Sequence, residues 1–347
     1  MPSLSSILKL VGLCVFISCS LQFAMAQQQA PAPLYNDPIY DGAADPVMIW
    51  NREEKAWWML YTARRANAPT EDVSAYYGTK IGVASSEDHG ITWTFRGYLD
   101  LEFEKGWNTF WAPDVVYHNG TYHMYVSYIR GVRNHWGGQS RIYHYTSKNL
   151  WDWKMEEPLV LSSNQVIDAS LFQLENGNWR IWYKDDSLGG LTMMSESADL
   201  KNWKTGEQPT IGGGAHEGPK IFKFKGYYWM LTDEWKGLRV YRSSDLNVWE
   251  KQGLILNEAS DRPLDRPTGA HGDVLVFEDK AYVFYFTHPG RDKHMEPKPE
   301  KPFTRITEPA YRSLHYFLKT EHSKRQEINR LSCTCPMELT NQPKLTE

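Results

Sequence analysis

The stretch AHEGPKIFKFKGYYWMLT, residues 215–232, contains two apolar and aromatic runs joined by Lys225-Gly226. Aromatic and β-branched residues favour strands, and a short glycine-containing link between two such runs is typical of a β-hairpin. Glu217 stands at the mouth of the first run, between His216 and Gly218. The stretch therefore predicts a hairpin with a carboxylate where its first strand begins.

The same arrangement recurs along the chain. Asn119-Gly120 and Asn176-Gly177 link paired runs in the same way, and polar segments ending in tryptophan close four of the units. Repeated four-stranded units of roughly 50 residues predict an all-β fold, a five-bladed β-propeller. The other four units begin with GAADPVMIW at 42, FWAPDVVYHNGTYHMYVSY at 110, VIDASLFQLENGNWRIWYKD at 166 and AHGDVLVFEDKAYVFYF at 270, and the closing tryptophans are Trp93, Trp153, Trp203 and Trp249.

The first 26 residues have the features of an export signal. Lys9 precedes the apolar run VGLCVFISCSLQFAMA, which is too short for a membrane span, and Ala24-Met25-Ala26 fits a small-x-small cleavage site. We expect a secreted or periplasmic protein. Its predicted parts are a signal peptide at 1–26, a propeller domain at 27–320 and a polar tail at 321–347.

The composition favours a carbohydrate partner over a nucleic acid or a membrane. The formal net charge of -4 leaves no basic excess to attract nucleic acid or an anionic membrane surface. We therefore expect neither partner once the signal has been cleaved. Aromatic residues make up 14% of the chain, with 15 Trp and 20 Tyr. Such rings pack in cores, and exposed ones stack on the apolar faces of sugars.

Acidic side chains stand at the mouths of several predicted first strands. In a propeller these strands line the central axis, so we expect Asp45, Asp168, Glu217 and His271 to meet on one face. Carboxyl groups that meet in an aromatic pocket suit glycoside hydrolysis, in which one protonates the leaving oxygen and another activates water. On this interpretation Asp45 is the base and Glu217 the acid, and Asp168 raises the pKa of that acid.

Three neighbouring residues are candidates for binding substrate. Trp111 and Phe110 are placed to wall the pocket, and His216 to donate a hydrogen bond to a sugar. Ordinary packing explains each of the three equally well.

Four segments resemble glycoside hydrolase family 43: Ala44-Asp45-Pro46, Trp111–Val115 with the following GTYHMYVSY, Ile167–Phe172, and Glu217-Gly218-Pro219 with GYYWMLT. The resemblance covers residues from about 40 to 250. It implies a five-bladed propeller that hydrolyses glycosides with inversion and needs no cofactor for the chemistry. The implied products are α-L-arabinofuranose or β-D-xylose, released from plant or algal polysaccharides or oligosaccharides.

The family resemblance also implies roles for two residues of the fifth unit. It places His271 near the propeller axis, beside a bound structural calcium or a structural water, although a hydrogen-bonded core histidine is an equal alternative. It places Arg312 where such enzymes bind the terminal sugar.

Two long insertions depart from the family pattern. They are RRANAPTEDVSAYYGTK, residues 64–80, and GVRNHWGGQS, residues 131–140, and we expect both to overhang the pocket and set specificity.

Two other functions remain open. A sialidase-like glycosidase is suggested by Ser86–Trp93, which fits the Asp-box turn of such propellers, but no cluster of strand-mouth arginines accompanies it. The other is a carbohydrate-binding propeller that has lost its activity, against which the presence of all three expected acids argues.

Overall fold

The computed structural model describes residues 31–70, 72–262, 264–289 and the backbone of 314–319. The predicted signal peptide, the predicted tail and Arg312 lie outside the described residues. Within these ranges, no helix is long and apolar enough to cross a membrane.

The described residues form five antiparallel sheets, in each of which consecutive strands pair. Four sheets have four strands and the last has three. Short 3₁₀ turns at Val73–Tyr76 and Asp186–Leu188 lie in the connections. The strands are β1 (Ala43–Asn51), β2 (Ala56–Ala63), β3 (Lys80–Ser86), β4 (Thr94–Tyr98), β5 (Thr109–His118), β6 (Thr121–Ile129), β7 (Arg141–Ser147), β8 (Lys154–Pro158), β9 (Val166–Gln173), β10 (Trp179–Asp185), β11 (Leu191–Ser197), β12 (Lys204–Thr205), β13 (Glu217–Phe224), β14 (Tyr227–Asp233), β15 (Leu238–Ser243), β16 (Glu250–Ile255), β17 (Ala270–Phe277), β18 (Lys280–Phe286) and β19 (Leu314–Lys319).

The first strands of the sheets form a closed ring. β1 packs against β5, β5 against β9, β9 against β13, β13 against β17, and β17 against β1. The apolar cores lie between neighbouring sheets, as where Val47 and Trp58 of the first sheet pack with Phe110 and Tyr145 of the second. A ring of sheets whose first strands surround one axis is a β-propeller, so the predicted all-β propeller fold is confirmed.

The turn between the third and fourth strands repeats one design in four sheets. A serine at the end of the third strand is followed two residues later by an aspartate or asparagine, whose oxygen accepts backbone N–H groups of the turn, as Asp199 does from Lys201 and Asn202 at 2.9 and 2.8 Å. The residue after this Asx has a positive φ in every case, and a tryptophan ends the segment. The turn therefore satisfies its own backbone groups. The four Asx residues are Asp88, Asn149, Asp199 and Asp245.

Every first strand carries a register irregularity near its beginning. At this bulge, Asp45, Ala112, Asp168 and Gly218 have φ values of 48, 43, 60 and 58°. Only glycine adopts such values without strain, so the three others store backbone strain at one level of the ring. Because bulges redirect side chains, this level is where the fold builds a site.

A buried lysine lies on the axis below the bulges. The Nζ atom of Lys220, on β13, lies 2.9 Å from Asp114 Oδ1 of β5 and 2.7 Å from Asp273 Oδ1 of β17. The second oxygens of these carboxylates accept the backbone N–H groups of Leu171 and Met48. Burial lowers the pKa of Lys220, but the two carboxylates outweigh it and raise the pKa above its usual range. One ammonium therefore links side chains from three first strands, and the carboxylates extend the link to the other two.

We predict that Lys220→Met destabilises the protein by about 3–5 kcal/mol, because it leaves two buried carboxylates without a counter-charge. Lys223→Met is the matched control. Lys223 lies on the same strand but pairs with Glu175 on the surface, where an ion pair contributes about 0–1 kcal/mol. Urea denaturation of both variants measures the difference, and equal losses of unfolding free energy would contradict a special role for Lys220.

Candidate active site

The structure brings Asp45, Asp168, Glu217 and His271 together at the bulge level. Asp168 Oδ2 accepts the backbone N–H of Gly218, the residue after Glu217, at 3.1 Å. A Cβ on Gly218 would lie 2.4 Å from the His271 ring, and His271 Nδ1 is 3.7 Å from Asp45 Oδ1. The expected convergence of these four side chains therefore occurs in the fold.

Asp45 is buried and faces an arginine that sequence analysis missed. A single guanidinium nitrogen of Arg64 lies 3.1 Å from both carboxylate oxygens of Asp45. The guanidinium carbon also lies 4.6 Å from the centre of the Phe286 ring and 5.4 Å from that of Tyr76. Arg64 Nε is buried without a hydrogen-bond partner in the described part of the chain. An unpaired buried donor is costly, so at this nitrogen the described residues leave a hydrogen bond unmade.

Asp168 is buried among four ionisable neighbours, His271, Glu217, Asp45 and Lys184. Its backbone N–H donates to Ser127 Oγ at 2.9 Å, which fixes the strained residue to the neighbouring sheet. The pKa of Asp168 is raised to about 7, chiefly by burial. The charges of Glu217 and Asp45 also raise this pKa, whereas His271 and Lys184 lower it. Near neutral pH this side chain is therefore divided between its protonated and ionised forms.

Both carboxylate oxygens of Glu217 have a donor. Lys184 Nζ is 3.2 Å from Oε2, and Trp235 Nε1 donates to Oε1 at 2.9 Å. Lys184 also lies 3.0 Å from Asp186 Oδ1 and 5.5 Å from the centre of the Trp235 ring. Burial lowers the pKa of Lys184, but Glu217 and Asp186 raise it well above its usual range. Lys184 is therefore a fixed cation beside the candidate acid.

A further carboxyl group, Asp233, lies directly across the β13–β14 pair from Glu217. It is buried and accepts the backbone N–H groups of Trp235 at 2.6 Å and His271 at 2.9 Å. Burial, reinforced by the charge of Glu217, raises the pKa of Asp233 to about 7. The site therefore holds four carboxyl groups against two cations, Arg64 and Lys184.

His271 is packed into the cluster by its ring and its backbone. Its ring packs against Gly218, and its backbone N–H donates to Asp233. In the described ranges, no group of three or more His, Cys, Asp or Glu side chains is placed to hold a metal ion. The calcium that the family resemblance implied beside His271 therefore stays a prediction.

The structure separates the other predicted substrate contacts. Trp111 is half-buried at the bulge of β5, at the position that Glu217 occupies on β13, and its Nε1 donates to Tyr76 O. Phe110 is only 2% exposed and packs on Tyr128 in the core, so the expectation that it walls the pocket is not met.

His216 is also a correction. It is 2% exposed, and its two ring nitrogens are engaged by Thr192 Oγ1 at 2.7 Å and Gly214 O at 2.8 Å. No ring nitrogen is left for a sugar. Arg312 lies outside the described residues.

Four residues of this cluster were not singled out in the sequence. Lys184 and Asp233 lie at the ends of second strands, and their signal is the polar ending that follows an apolar run in WYKD and MLTD. Trp235 follows the second of these endings by two residues. Arg64 begins the first insertion, for which the sequence predicts only a loop that overhangs the pocket.

Comparison with known proteins identifies the family that the chain resembles. The model of glycosyl hydrolases family 43 matches residues 100–235. A rice protein (Oryza sativa subsp. indica), glucosamine inositolphosphorylceramide transferase 1, is 29% identical over 204 residues, which cover 54% of this chain and 25% of the transferase. The chain thus spans about a quarter of the length of the curated relatives it matches.

Solved structures share the fold at low identity. A family 43 β-xylosidase/α-arabinofuranosidase from a compost metagenome, in complex with xylotriose, has a TM-score of 0.61 at 16% identity, covering 84% of this chain and 94% of that one. A thermostable family 43 glycoside hydrolase has a TM-score of 0.58 at 21% identity, covering 84% of this chain and 97% of that one. An exo-1,5-α-L-arabinanase from a bovine ruminal metagenome has a TM-score of 0.55 at 19% identity, covering 84% of this chain and 100% of that one.

These comparisons confirm the resemblance to glycoside hydrolase family 43, a family of O-glycosidases. The matched segment, residues 100–235, runs from before β5 to just beyond β14 and contains Asp168, Lys184, Glu217 and Asp233.

We predict that wild-type stability falls between pH 5 and pH 8 and that Asp168→Asn reduces this fall. Below the pKa of about 4 that an aspartate has in an unfolded chain, the folded and unfolded states both bind the proton of Asp168. Between there and the folded pKa of about 7, the folded state binds more protons, so stability is lost as pH rises. One such group contributes about 2 kcal/mol, or roughly 4–8 °C in Tm. Thermal unfolding at several pH values measures it.

Asp199→Asn is the control for this prediction. Hydrogen bonds from Asn202 and Lys201 hold the pKa of Asp199 far below its usual range, so its carboxylate is ionised throughout pH 5–8. An equal fall in Tm for Asp168→Asn and the wild type would show that Asp168 does not titrate as proposed.

Proposed function

We propose that this protein is a secreted glycoside hydrolase with five blades, the three-stranded sheet β17–β19 being the fifth. We propose that it releases α-L-arabinofuranose or β-D-xylose, with inversion, from plant or algal polysaccharides or oligosaccharides. In this proposal Asp45 is the general base, Glu217 the general acid and Asp168 the group that modulates and orients the acid. The observation that carries it is the meeting of these three carboxyl groups, from three blades, at one strained level of the ring.

The surroundings of Asp45 suit a general base. A general base must be ionised to take a proton from the water that attacks the sugar, and the buried guanidinium of Arg64 supplies a counter-charge at 3.1 Å. The proton taken from water then arrives on a carboxylate that Arg64 holds in a fixed orientation.

The surroundings of Glu217 suit the carboxylate that remains after a general acid has given up its proton. When the glutamic acid has given its proton to the leaving oxygen, a carboxylate remains, and the Lys184 ammonium and the Trp235 N–H stabilise it. Asp168 and Asp233, whose pKa values are raised to about 7, lie beside Glu217, and we propose that their titration sets the pH range of activity.

Asp168 supports the acid through the backbone. Its Oδ2 accepts the N–H of Gly218, which fixes the peptide next to Glu217. Its own pKa of about 7 lets it exchange a proton in the range in which the acid must be reloaded.

Arg312 keeps, in this proposal, the sugar-binding role that the family resemblance gave it. Arg64 orients the carboxylate of Asp45, to which one of its guanidinium nitrogens donates at 3.1 Å. Both cations of the site already face carboxylates, which favours a neutral sugar over a uronic acid. The choice of a pentose rests on the similar structures, one of which holds xylotriose. No metal step is part of this proposal.

One observation favours a carbohydrate-binding propeller without activity as the second candidate. Lys184 pairs with Glu217 and Arg64 pairs with Asp45, so both proposed catalytic carboxylates are held in ion pairs with the protein's own cations. Binding of sugars without turnover would identify this alternative. A sialidase-like reaction has less support, because Arg64 is the one arginine paired with these acids in the described ranges and the Asp-box forms an outer turn.

We predict that the wild type hydrolyses members of a panel of arabino- and xylo-oligosaccharides and aryl glycosides, and that Glu217→Gln lowers turnover on unactivated substrates roughly 10²–10⁴-fold while binding is retained. Proton NMR of the first product gives its anomeric form, which we expect to be inverted.

Glu207→Gln serves as the matched control, because Glu207 is exposed in the segment between β12 and β13. Unchanged turnover of Glu217→Gln on an oligosaccharide would remove Glu217 as the acid. A retained anomer would contradict the roles of Asp45 and Glu217 together.

A further inference from the structure

Trp136, in the second insertion, presents an open aromatic surface beside the site. It is 52% exposed. Its ring meets Tyr76 edge-on at a centroid distance of 4.9 Å and lies tilted against Tyr77 at 6.0 Å and Trp111 at 6.3 Å. Because none of these contacts is a parallel stack, a face of the indole remains uncovered by them. We name Trp136, Tyr76 and Trp111 the aromatic platform.

The loop that carries Trp136 is held in one conformation. The Arg133 guanidinium donates to the carbonyl oxygens of Gly137 and Gln139, and Tyr77 Oη donates to His135 O at 3.0 Å. Gly138 has a φ of 93°, and a Cβ there would lie 2.5 Å from Arg133 Nη1, so a glycine is required for this bracing. A braced loop that exposes a tryptophan suits a preformed binding surface.

The aromatic platform is continuous with the candidate active site. Trp111 lies on the bulge of β5 at the position equivalent to Glu217. Tyr76 contacts the guanidinium of Arg64, which pairs with Asp45. The surface therefore begins at the acids and runs outward to Trp136.

Trp136 differs from the other exposed tryptophans near the site. Arg65 lies 4.6 Å from the centre of the Trp107 ring, and Lys184 lies 5.5 Å from that of Trp235. No cation lies over Trp136 in the described part of the chain. An uncovered indole in a fixed loop, at the rim of a pocket, is a surface that a ligand can cover.

We infer that Trp136 stacks against a sugar residue of an oligosaccharide whose terminal residue lies at the acids. This inference rests on the proposed function, because it takes the same sugar chain as the ligand. The apolar C–H face of a sugar ring fits an indole face. Two members of the platform, Tyr76 and Trp136, come from the two insertions that depart from the family pattern. Trp136 therefore selects for chain length, while Asp45, Asp168 and Glu217 act on the terminal sugar.

The test is binding of xylo- and arabino-oligosaccharides, from one to six residues, measured by isothermal titration calorimetry in the Glu217→Gln background. We expect affinity to rise with length in the parent. We expect Trp136→Ala to lower affinity for the longer oligosaccharides roughly 3–10-fold and to leave affinity for the monosaccharide unchanged. Trp136→Phe should retain most of the affinity, since a ring remains.

Trp151→Ala is the matched control. Trp151 is also exposed, at 39%, but belongs to the outer turn between β7 and β8 and packs edge-on against Trp58. Equal affinities of Trp136→Ala and the parent for the longest bound oligosaccharide would overturn the inference, as would a loss of the same size in Trp151→Ala.

The outcomes separate this inference from the proposed function. If the wild type hydrolyses the oligosaccharides, and Trp136→Ala and the parent bind the longer ones with equal affinity, the inference alone is overturned. Trp136-dependent binding of oligosaccharides that the wild type leaves intact would support the inference and overturn hydrolysis. Absence of binding to every oligosaccharide in the parent, together with absence of hydrolysis by the wild type, would overturn both.

Discussion

The contact on which the rest of the structure depends is the buried ion pair of Lys220 with Asp114 and Asp273. Three of the five first strands contribute a charged side chain to it, and the backbones of the other two donate to its carboxylates. An ammonium buried among apolar strands costs a great deal of solvation, so it is retained only with both partners in place. On β13, Lys220 lies two residues after the bulge residue Gly218. The same contact therefore also fixes the position along the ring axis at which the acids project.

That arrangement explains how the fold tolerates so many acids in one place. Four carboxyl groups lie around the mouth of the axis, two of them with pKa values raised to about 7 by burial. Arg64 and Lys184 neutralise part of the charge, each from a blade's second strand or the loop after it. The strained φ values of Asp45 and Asp168 add a local cost that the surrounding sheets must offset. A site of this kind lowers the stability of the folded state by itself, and the contacts of the closed ring of strands offset that cost.

Much of the fold could be predicted from the sequence because its signals are local. Lys225-Gly226 and Asn119-Gly120 both have positive φ at the two link residues, as their hairpins require. The three acids could be found because they repeat at strand mouths. The faces of Phe110 and Trp111 could not be assigned, since the bulge after Trp111 breaks the alternation that would tell them apart. His216 is buried by Gly190 and Thr192 of the preceding sheet, and Arg64 reaches Asp45 across its sheet. Such contacts depend on packing between elements that no local pattern encodes.

The link between the two ends of the ring bears on the order of events in folding. Asp273 of the last sheet accepts the backbone N–H of Met48 in the first, across a sequence separation of 225 residues. Closing so long a loop carries a large entropic cost before any contact is gained, and such contacts slow folding. The individual sheets, with their self-contained outer turns, can form early from local hairpins. Ring closure is then the slow step. Since Asp45 lies on β1 and His271 on β17, the candidate site comes together only when the last sheet has been synthesised and has docked on the first.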